Sequence, residues 1–294
     1  MREGLVGRNL SPYAVATNLR LTNRVRMSEQ LHKPAKHESR FSSQRKTPAP
    51  CLAVLVPVFN ESNYVSAMLE QVLNQPSVSE VIVVDDYSQD GTWDILKSWP
   101  ARDNRVKVFR HETNRGKGAA LRTALSIVQA PLVIIQDADL EYDPAEYERM
   151  LEPIRSGQAD VVYGSRFMAG VRVTTFAHRM INWGLTVLMN LCTGLRLTDV
   201  HTCLKLFPTS LLRSLPLEEQ RFGFCPEITA KISKIPGLQL IEVPISYNPR
   251  QHAAGKKIGL VDGVRALYCI FIYSMRKIPT VNWKSPAGVG PNEH

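Results

Sequence analysis

The chain has 294 residues, 44% of them apolar, enough for one sizeable α/β core or two small ones. Its net charge of +9 is uneven, with +7 in residues 1–50, and a basic tail without interleaved aromatics argues against a nucleic-acid binder. Five scattered cysteines without CxxC spacing exclude a disulfide framework or zinc cluster and fit reduced thiols in a cytosolic setting; no signal peptide and no run of about 18 apolar residues is present.

Residues 1–48 lack a sustained apolar period and lead into SSQRKTPAP, which reads as a disordered linker. A solvated extension, a transient contact with anionic lipid and an acid-poor transit-like start all fit this composition. From residue 49 to 278 the pattern changes to short apolar runs alternating with amphipathic segments. LAVLVPV (52–58) predicts a strand and 61–75 a helix; EVIVVDD (80–86) predicts a second strand, and 90–100 a helix capped by Asp90 and ended by Pro100. VKVFRH (106–111) is a third strand, 116–130 a helix, PLVIIQD (131–137) a fourth strand, 144–155 a helix and DVVYG (160–164) a fifth strand. Further on, 177–194 predicts a long apolar helix, 238–247 a late strand and 258–277 a terminal helix, followed by a tail over 279–294. Strands alternating with helices on short connections predict an α/β fold with a mostly parallel, doubly wound sheet and flanking helices.

Ligands of such sheets sit beyond the carboxyl ends of the strands. The strand ends here carry the polar residues: Asn60 and Glu61, Asp85 and Asp86, Asp137 and Asp139, Ser165 and Arg166. PLVIIQDADLE (131–141) is the most informative run, because i, i+2 spacing turns the Asp137 and Asp139 carboxylates the same way, with Glu141 beyond them. Hard oxygen ligands at a strand exit suit Mg²⁺ or Mn²⁺ that also holds a diphosphate, although an isolated DxD is more commonly a solvated acidic turn. A dehydrogenase of the dinucleotide-binding type is disfavoured, since no GxGxxG follows the first strand. GKG at 116–118 is not a phosphate-binding P-loop, because residue 111 is His and residue 118 is Gly.

PVFNE (57–61), VVDDYSQDGT (83–92), NRGKGAAL (114–121) and QDADLEYDP (136–144) follow in that order. In this the chain resembles the inverting GT-A nucleotide-sugar glycosyltransferases of family two, the group that includes dolichyl- and polyprenyl-phosphate mannose (hexose) synthases. The resemblance runs from about residue 51 to 275. GSRF (164–167), LTDVHTCLKLF (197–207), RFGFCPEI (221–228) and RQHAAGKKIG (250–259) look like the branch that glycosylates polyprenyl phosphates. The resemblance implies a GT-A domain over 49–278 and a nucleotide pocket in which Asp86 reads the base beside Pro57 and Glu61. It also implies that Asp139 ligates the metal with Asp137 and Glu141 beside it, and that Lys117 and Arg115 hold the diphosphate or sugar. Arg166 would meet the acceptor phosphate. Arg250, Lys256 and Lys257 resemble a basic loop that closes over the phosphates. Asp199 and Glu227 are weaker candidates that could equally cap a helix or orient an arginine.

The implied reaction moves mannose or glucose from GDP-mannose or UDP-glucose to a dolichyl-type phosphate, with inversion and a divalent cation. A phosphomonoester is largely dianionic at neutral pH, so no general base is nominated. The competing expectations are a transferase acting on a saccharide hydroxyl and a catalytically silent sugar-nucleotide-binding scaffold. A lipid acceptor requires contact with a membrane surface, for which 181–195 and the terminal ALYCIFIY run ending at Arg276 and Lys277 are the candidates, with core packing the alternative. The expectation is a cytoplasmic enzyme, peripheral at the cytoplasmic face of a membrane, or one with a separate membrane-protein partner.

Overall fold

The computed structural model describes residues 50–169, 176–250, 260–279, 281 and 283. The tail over 1–48, Lys256, Lys257 and most of 279–294 lie outside the described residues.

The sheet is built on β1 (Leu52–Val58), whose residues are 0–1% exposed apart from Pro57. A strand covered on both faces has no polar side to show, which is why LAVLVPV reads as an unbroken apolar run. β2 (Val78–Asp85) and β4 (Leu132–Ile135) pair with it in parallel on either side, and β3 (Val106–Arg110) extends the sheet beyond β2. β5 (Val161–Ser165), β6 (Lys205–Pro208) and β7 (Leu240–Pro244) complete the described order β3-β2-β1-β4-β6-β5-β7. Every pairing is parallel except those of β6, which runs against both β4 and β5. The fold is thus mixed α/β with a mostly parallel sheet, as expected, apart from the unforeseen β6.

The helices follow the predicted segments with trimmed ends: α1 (Val65–Leu73), α4 (Lys117–Ile127) and α5 (Tyr147–Arg155), the last entered through a 3-10 turn at Pro144–Glu146. The segment predicted as one helix ending at Pro100 is two, α2 (Thr92–Leu96) and α3 (Trp99–Arg102). Pro100 lies in the first turn of α3, where a missing N–H does no harm, so it starts a helix instead of ending one. The second half holds α6 (Phe176–Thr193), α7 (Thr209–Ser214), α8 (Phe224–Ile232) and α9 (Leu260–Met275).

Register brings the strand exits to one rim. Val58 stands opposite Asp85 and Leu55 opposite Ile135, so β1, β2 and β4 release their next residues close together. Pro57 lies past the last β4-paired residue, Leu55, where its missing N–H leaves no ladder bond unmade on that side. The three non-glycine residues with left-handed backbone among the described residues are Asn60 (φ 53°), Tyr87 (φ 67°) and Leu140 (φ 59°). One follows each of these three exits. Such conformations are uncommon for residues with a side chain and cluster where a binding surface needs a sharp turn.

Candidate active site

The loops after β1 and β2 are bolted together by short polar side chains. The Asn60 N–H donates to Ser88 Oγ at 2.8 Å, the Gln89 N–H to Asn60 Oδ1 at 2.8 Å, and the Glu61 N–H to Thr92 Oγ1 at 2.9 Å. Asp85, fully buried, accepts from the Ser88 N–H and faces the Arg110 guanidinium, so it organises the turn instead of facing a ligand.

Asp86 is 3% exposed, and both of its oxygens meet the 115–116 backbone. Oδ1 accepts from the Arg115 N–H at 2.9 Å and Oδ2 from the Gly116 N–H at 2.6 Å. Oδ1 also lies 2.7 Å from His111 Nδ1, whose other ring nitrogen is 3.0 Å from Thr123 Oγ1. The residue expected to read the base thus also fixes the loop expected to hold the diphosphate. His111 was not singled out from the sequence, although it directly follows β3 just as the other polar residues follow their strands.

Gln136 pins the acidic turn after β4, donating to the Asp137 and Tyr142 carbonyls while its Oε1 accepts from the Tyr147 hydroxyl at 2.8 Å. Asp137 pairs with Lys117 at 2.5 Å. Burial works against the Lys117 charge, but Asp137, Cys203 and Cys225 together outweigh it and hold the ammonium well above its usual pKa. Arg250 bridges the other acids: Nη1 is 2.9 Å from Glu61 Oε2, Nη2 is 3.0 Å from Asp139 Oδ2, and its N–H donates to Glu141 Oε1 at 3.1 Å. Glu141 Oε2 accepts from the Tyr247 hydroxyl at 2.6 Å. Arg250 therefore ties the exit of β1 to that of β4, and Tyr247 anchors the segment that carries it.

Among the described residues no three carboxylate, imidazole or thiol side chains are grouped so as to hold an ion. Lys117 pairs with Asp137, and Arg250 stands against Asp139. In chemistry the residues still fit a divalent cation. Burial, then Asp137 and Glu141, push the Asp139 carboxyl up to about 7, and Arg250 offsets only part of this. An acid cluster so short of positive charge suits a hard cation with oxygen ligands.

Arg166 is 6% exposed, and its fork is closed on Asp199, with Nε 2.7 Å from Oδ2 and Nη2 2.8 Å from Oδ1. The Tyr247 and Tyr142 rings lie 5.2 and 6.0 Å from its Cζ. Asp199 thus orients an arginine, one of the two roles foreseen for it. Glu227 instead accepts from the Glu218 and Glu219 N–H groups at 2.6 and 2.9 Å and pairs with Lys231 at 2.6 Å, entirely buried. Lys256 and Lys257 lie outside the described residues.

The chain matches the family described as glycosyl transferase family 2 over residues 53–215. Over 217 residues it is 29% identical to an undecaprenyl-phosphate mannosyltransferase of Micrococcus luteus, covering 71% of this chain and 88% of that one. Over 246 residues it is 26% identical to a UDP-N-acetylglucosamine–dolichyl-phosphate N-acetylglucosaminyltransferase of Methanococcus voltae, covering 76% and 96%. Among solved structures it resembles glucosyl-3-phosphoglycerate synthase from Mycobacterium tuberculosis in complex with uridine diphosphate, with a TM-score of 0.59 at 16% identity over 76% of this chain and 80% of that one. The same enzyme solved with Mn²⁺, uridine diphosphate and phosphoglyceric acid gives 0.58 at 18%, over 78% and 80%. That likeness carries the fold alone. The family match spans more than half of the sequence and includes every motif from PVFNE to LTDVHTCLKLF, so the chain belongs to glycosyl transferase family 2.

Proposed function

We propose that this glycosyltransferase moves a hexose, mannose or glucose, from a nucleoside-diphosphate sugar to a polyprenyl phosphate, with inversion at the anomeric carbon and a divalent cation on Asp139. The observation that carries the reading is the set of fixed cations along the rim, Lys117, Arg166 and Arg250, each held by an acid at a strand exit or next to one. A donor and an acceptor that are both phosphates need such a set. The relatives that act on undecaprenyl and dolichyl phosphate, matched over most of their own length, support the acceptor class.

Asp86, with Pro57 and Glu61 beside it, would face the nucleoside, and Lys117 and the 115–116 amides the diphosphate. Mg²⁺ or Mn²⁺, held by Asp139 with Asp137 and Glu141 near, would supply charge against the departing diphosphate. At an effective dielectric near 20, each unit charge about 4 Å from the leaving oxygens contributes roughly 4 kcal/mol before screening. Asp199 orders Arg166, so the acceptor phosphate would meet the outward side of a fork already set in direction. Arg250 would move from acid to phosphate when the donor arrives, with Lys256 and Lys257 on the same stretch of chain. A phosphate nucleophile needs no base, and Asp137, Asp139 and Glu141 are each ion-paired or hydrogen-bonded within the rim.

Contact with a membrane is supported by α6 and α9, which bury one face and expose another. Leu185 and Met189 on α6 and Ala266, Ile270 and Tyr273 on α9 are buried, while Ile181, Trp183, Leu191, Val264, Phe271 and Met275 are at least half exposed. No described helix is long and apolar enough to cross a bilayer. This pattern suits a peripheral position at the cytoplasmic face, directly or through a membrane-protein partner. The test is a panel of labelled nucleotide sugars with a short-chain prenyl phosphate and Mn²⁺. Label is expected in the organic extract with one donor; label appearing only on added saccharides would move the acceptor to a sugar hydroxyl.

A further inference from the structure

Gly116 and Gly118 of the 114–119 loop, at the start of α4, stand hard against a neighbouring stretch of chain. A Cβ on Gly116 would stand 2.5 Å from the Gln220 carbonyl oxygen, and one on Gly118 would overlap the carbonyl oxygen of Glu219. Residues 218–221 therefore form a strap laid directly on the loop. The Ala119 N–H donates to the Gln220 carbonyl at 3.0 Å, and the Arg122 guanidinium donates to the Glu219 carbonyl. From behind, Glu227 holds the strap by the N–H groups of Glu218 and Glu219.

Glu219, 5% exposed, turns its carboxylate away from the loop and toward α9. Arg265 grips it with both Nη2 (2.8 Å to Oε1) and Nε (3.1 Å to Oε2), and the Tyr273 hydroxyl donates to Oε1 at 2.9 Å. A bidentate guanidinium–carboxylate pair fixes direction as well as distance. One residue thus touches α4 through its carbonyl and α9 through its carboxylate. On the α4 side, the next groups along the chain are Lys117, on Asp137, and the 115–116 amides, on Asp86.

We propose that Glu219 is a positioning residue for the donor site. Clamped to α9 by Arg265 and Tyr273, it holds the strap against the first turn of α4 and sets where Lys117 and the 115–116 amides meet the nucleoside diphosphate. The proposal rests on the assignment of that loop to the donor. It makes the affinity for the leaving nucleotide depend on a helix whose opposite face is apolar and exposed.

The test titrates UDP and GDP, each with Mn²⁺, into the wild-type chain and into Glu219→Gln, Arg265→Met and the double variant, with melting temperatures recorded. Arg265 lies outside the rim, its side chain is half exposed and Tyr273 still donates to Glu219 without it, so Arg265→Met is expected to fold, with a lowered melting temperature. Each single variant should bind the preferred nucleotide about 10-fold more weakly, and the double variant no more weakly than the worse single, as for residues acting through one contact. In turnover the loss should fall on the donor KM, with kcat at saturating donor and the acceptor KM within about two-fold of wild type. Wild-type nucleotide affinity in Arg265→Met would overturn the proposal, as would a loss shared equally by kcat and the acceptor KM. If Glu219→Gln does not fold, Arg265→Met alone decides. A wild-type chain that binds neither nucleotide overturns the donor assignment itself and this proposal with it, whereas lipid-acceptor failure with intact nucleotide binding touches only the acceptor reading.

Discussion

At the scale of single residues, two side chains have opposite electrostatic problems. Asp139 is an acid whose burial and acidic neighbours raise it to about 7, so its charge is poorly compensated in the folded chain. Asp139→Asn should remove more than about 10²-fold of the turnover, the size expected when a group stabilising the leaving charge is lost, while leaving the melting temperature at or above wild type. A large fall in melting temperature would mean that Asp139 serves the fold instead. His201 is the converse. Burial, then the Lys205 ammonium, hold its imidazole down at about 4. The unfolded chain takes up that proton near pH 6.5 and the folded chain near 4, so the unfolded state binds more protons across this window and stability falls as pH drops. The loss is about 2 kcal/mol at pH 5. Urea unfolding at pH 7 and pH 5 should show it, and His201→Gln should flatten the slope; an unchanged slope would clear His201. The rim acids were legible in the sequence because they interrupt apolar runs. Their partners were not, since nothing in a linear pattern says that Arg250, 111 residues from Asp139, would lie against it.

At the scale of elements, the sequence was most readable where one element dictates its own pattern. β1 was found to the residue because both of its faces are covered by the core. β6 was missed because it is four residues long and opens on a lysine, a residue that normally signals solvent. Lys205 is fully buried, its ammonium donating to the Val200 and Thr202 carbonyls, so the apparent surface residue ties off a turn inside the core. α8 was hidden for a related reason. Glu227 and Lys231 are both buried among its apolar residues, so no polar face alternates with an apolar one. Breaking that pair leaves an unpaired charge in the interior, and Lys231→Met should destabilise the chain by roughly 3–5 kcal/mol. Denaturant unfolding measures this directly; a change below about 1 kcal/mol would mean that water reaches Glu227.

At the scale of the whole molecule, the mostly parallel sheet followed from the alternation of strands and helices, and the polar strand ends marked one rim as the candidate site; the strand order itself came only with the structure. So did the reversal at β6, because antiparallel insertion is decided by tertiary pairing. The division of α6 and α9 into a buried and an exposed face makes a separate claim about the lipid acceptor. Replacing Phe271 and Ile181 together by Glu should weaken sedimentation with anionic vesicles several-fold while leaving activity on a short, soluble prenyl phosphate intact. Equal sedimentation of variant and wild type would point to another surface. The claim on which the account turns is that the carboxyl ends of β1, β2 and β4 hold the donor, and a crystal structure with Mn²⁺ and the preferred nucleoside diphosphate tests it most directly. Manganese is expected on Asp139, the diphosphate beside Lys117, and Arg250 moved from the carboxylates to the phosphates. Arg250 still bridging Glu61 and Asp139, with the nucleotide bound elsewhere, would contradict it.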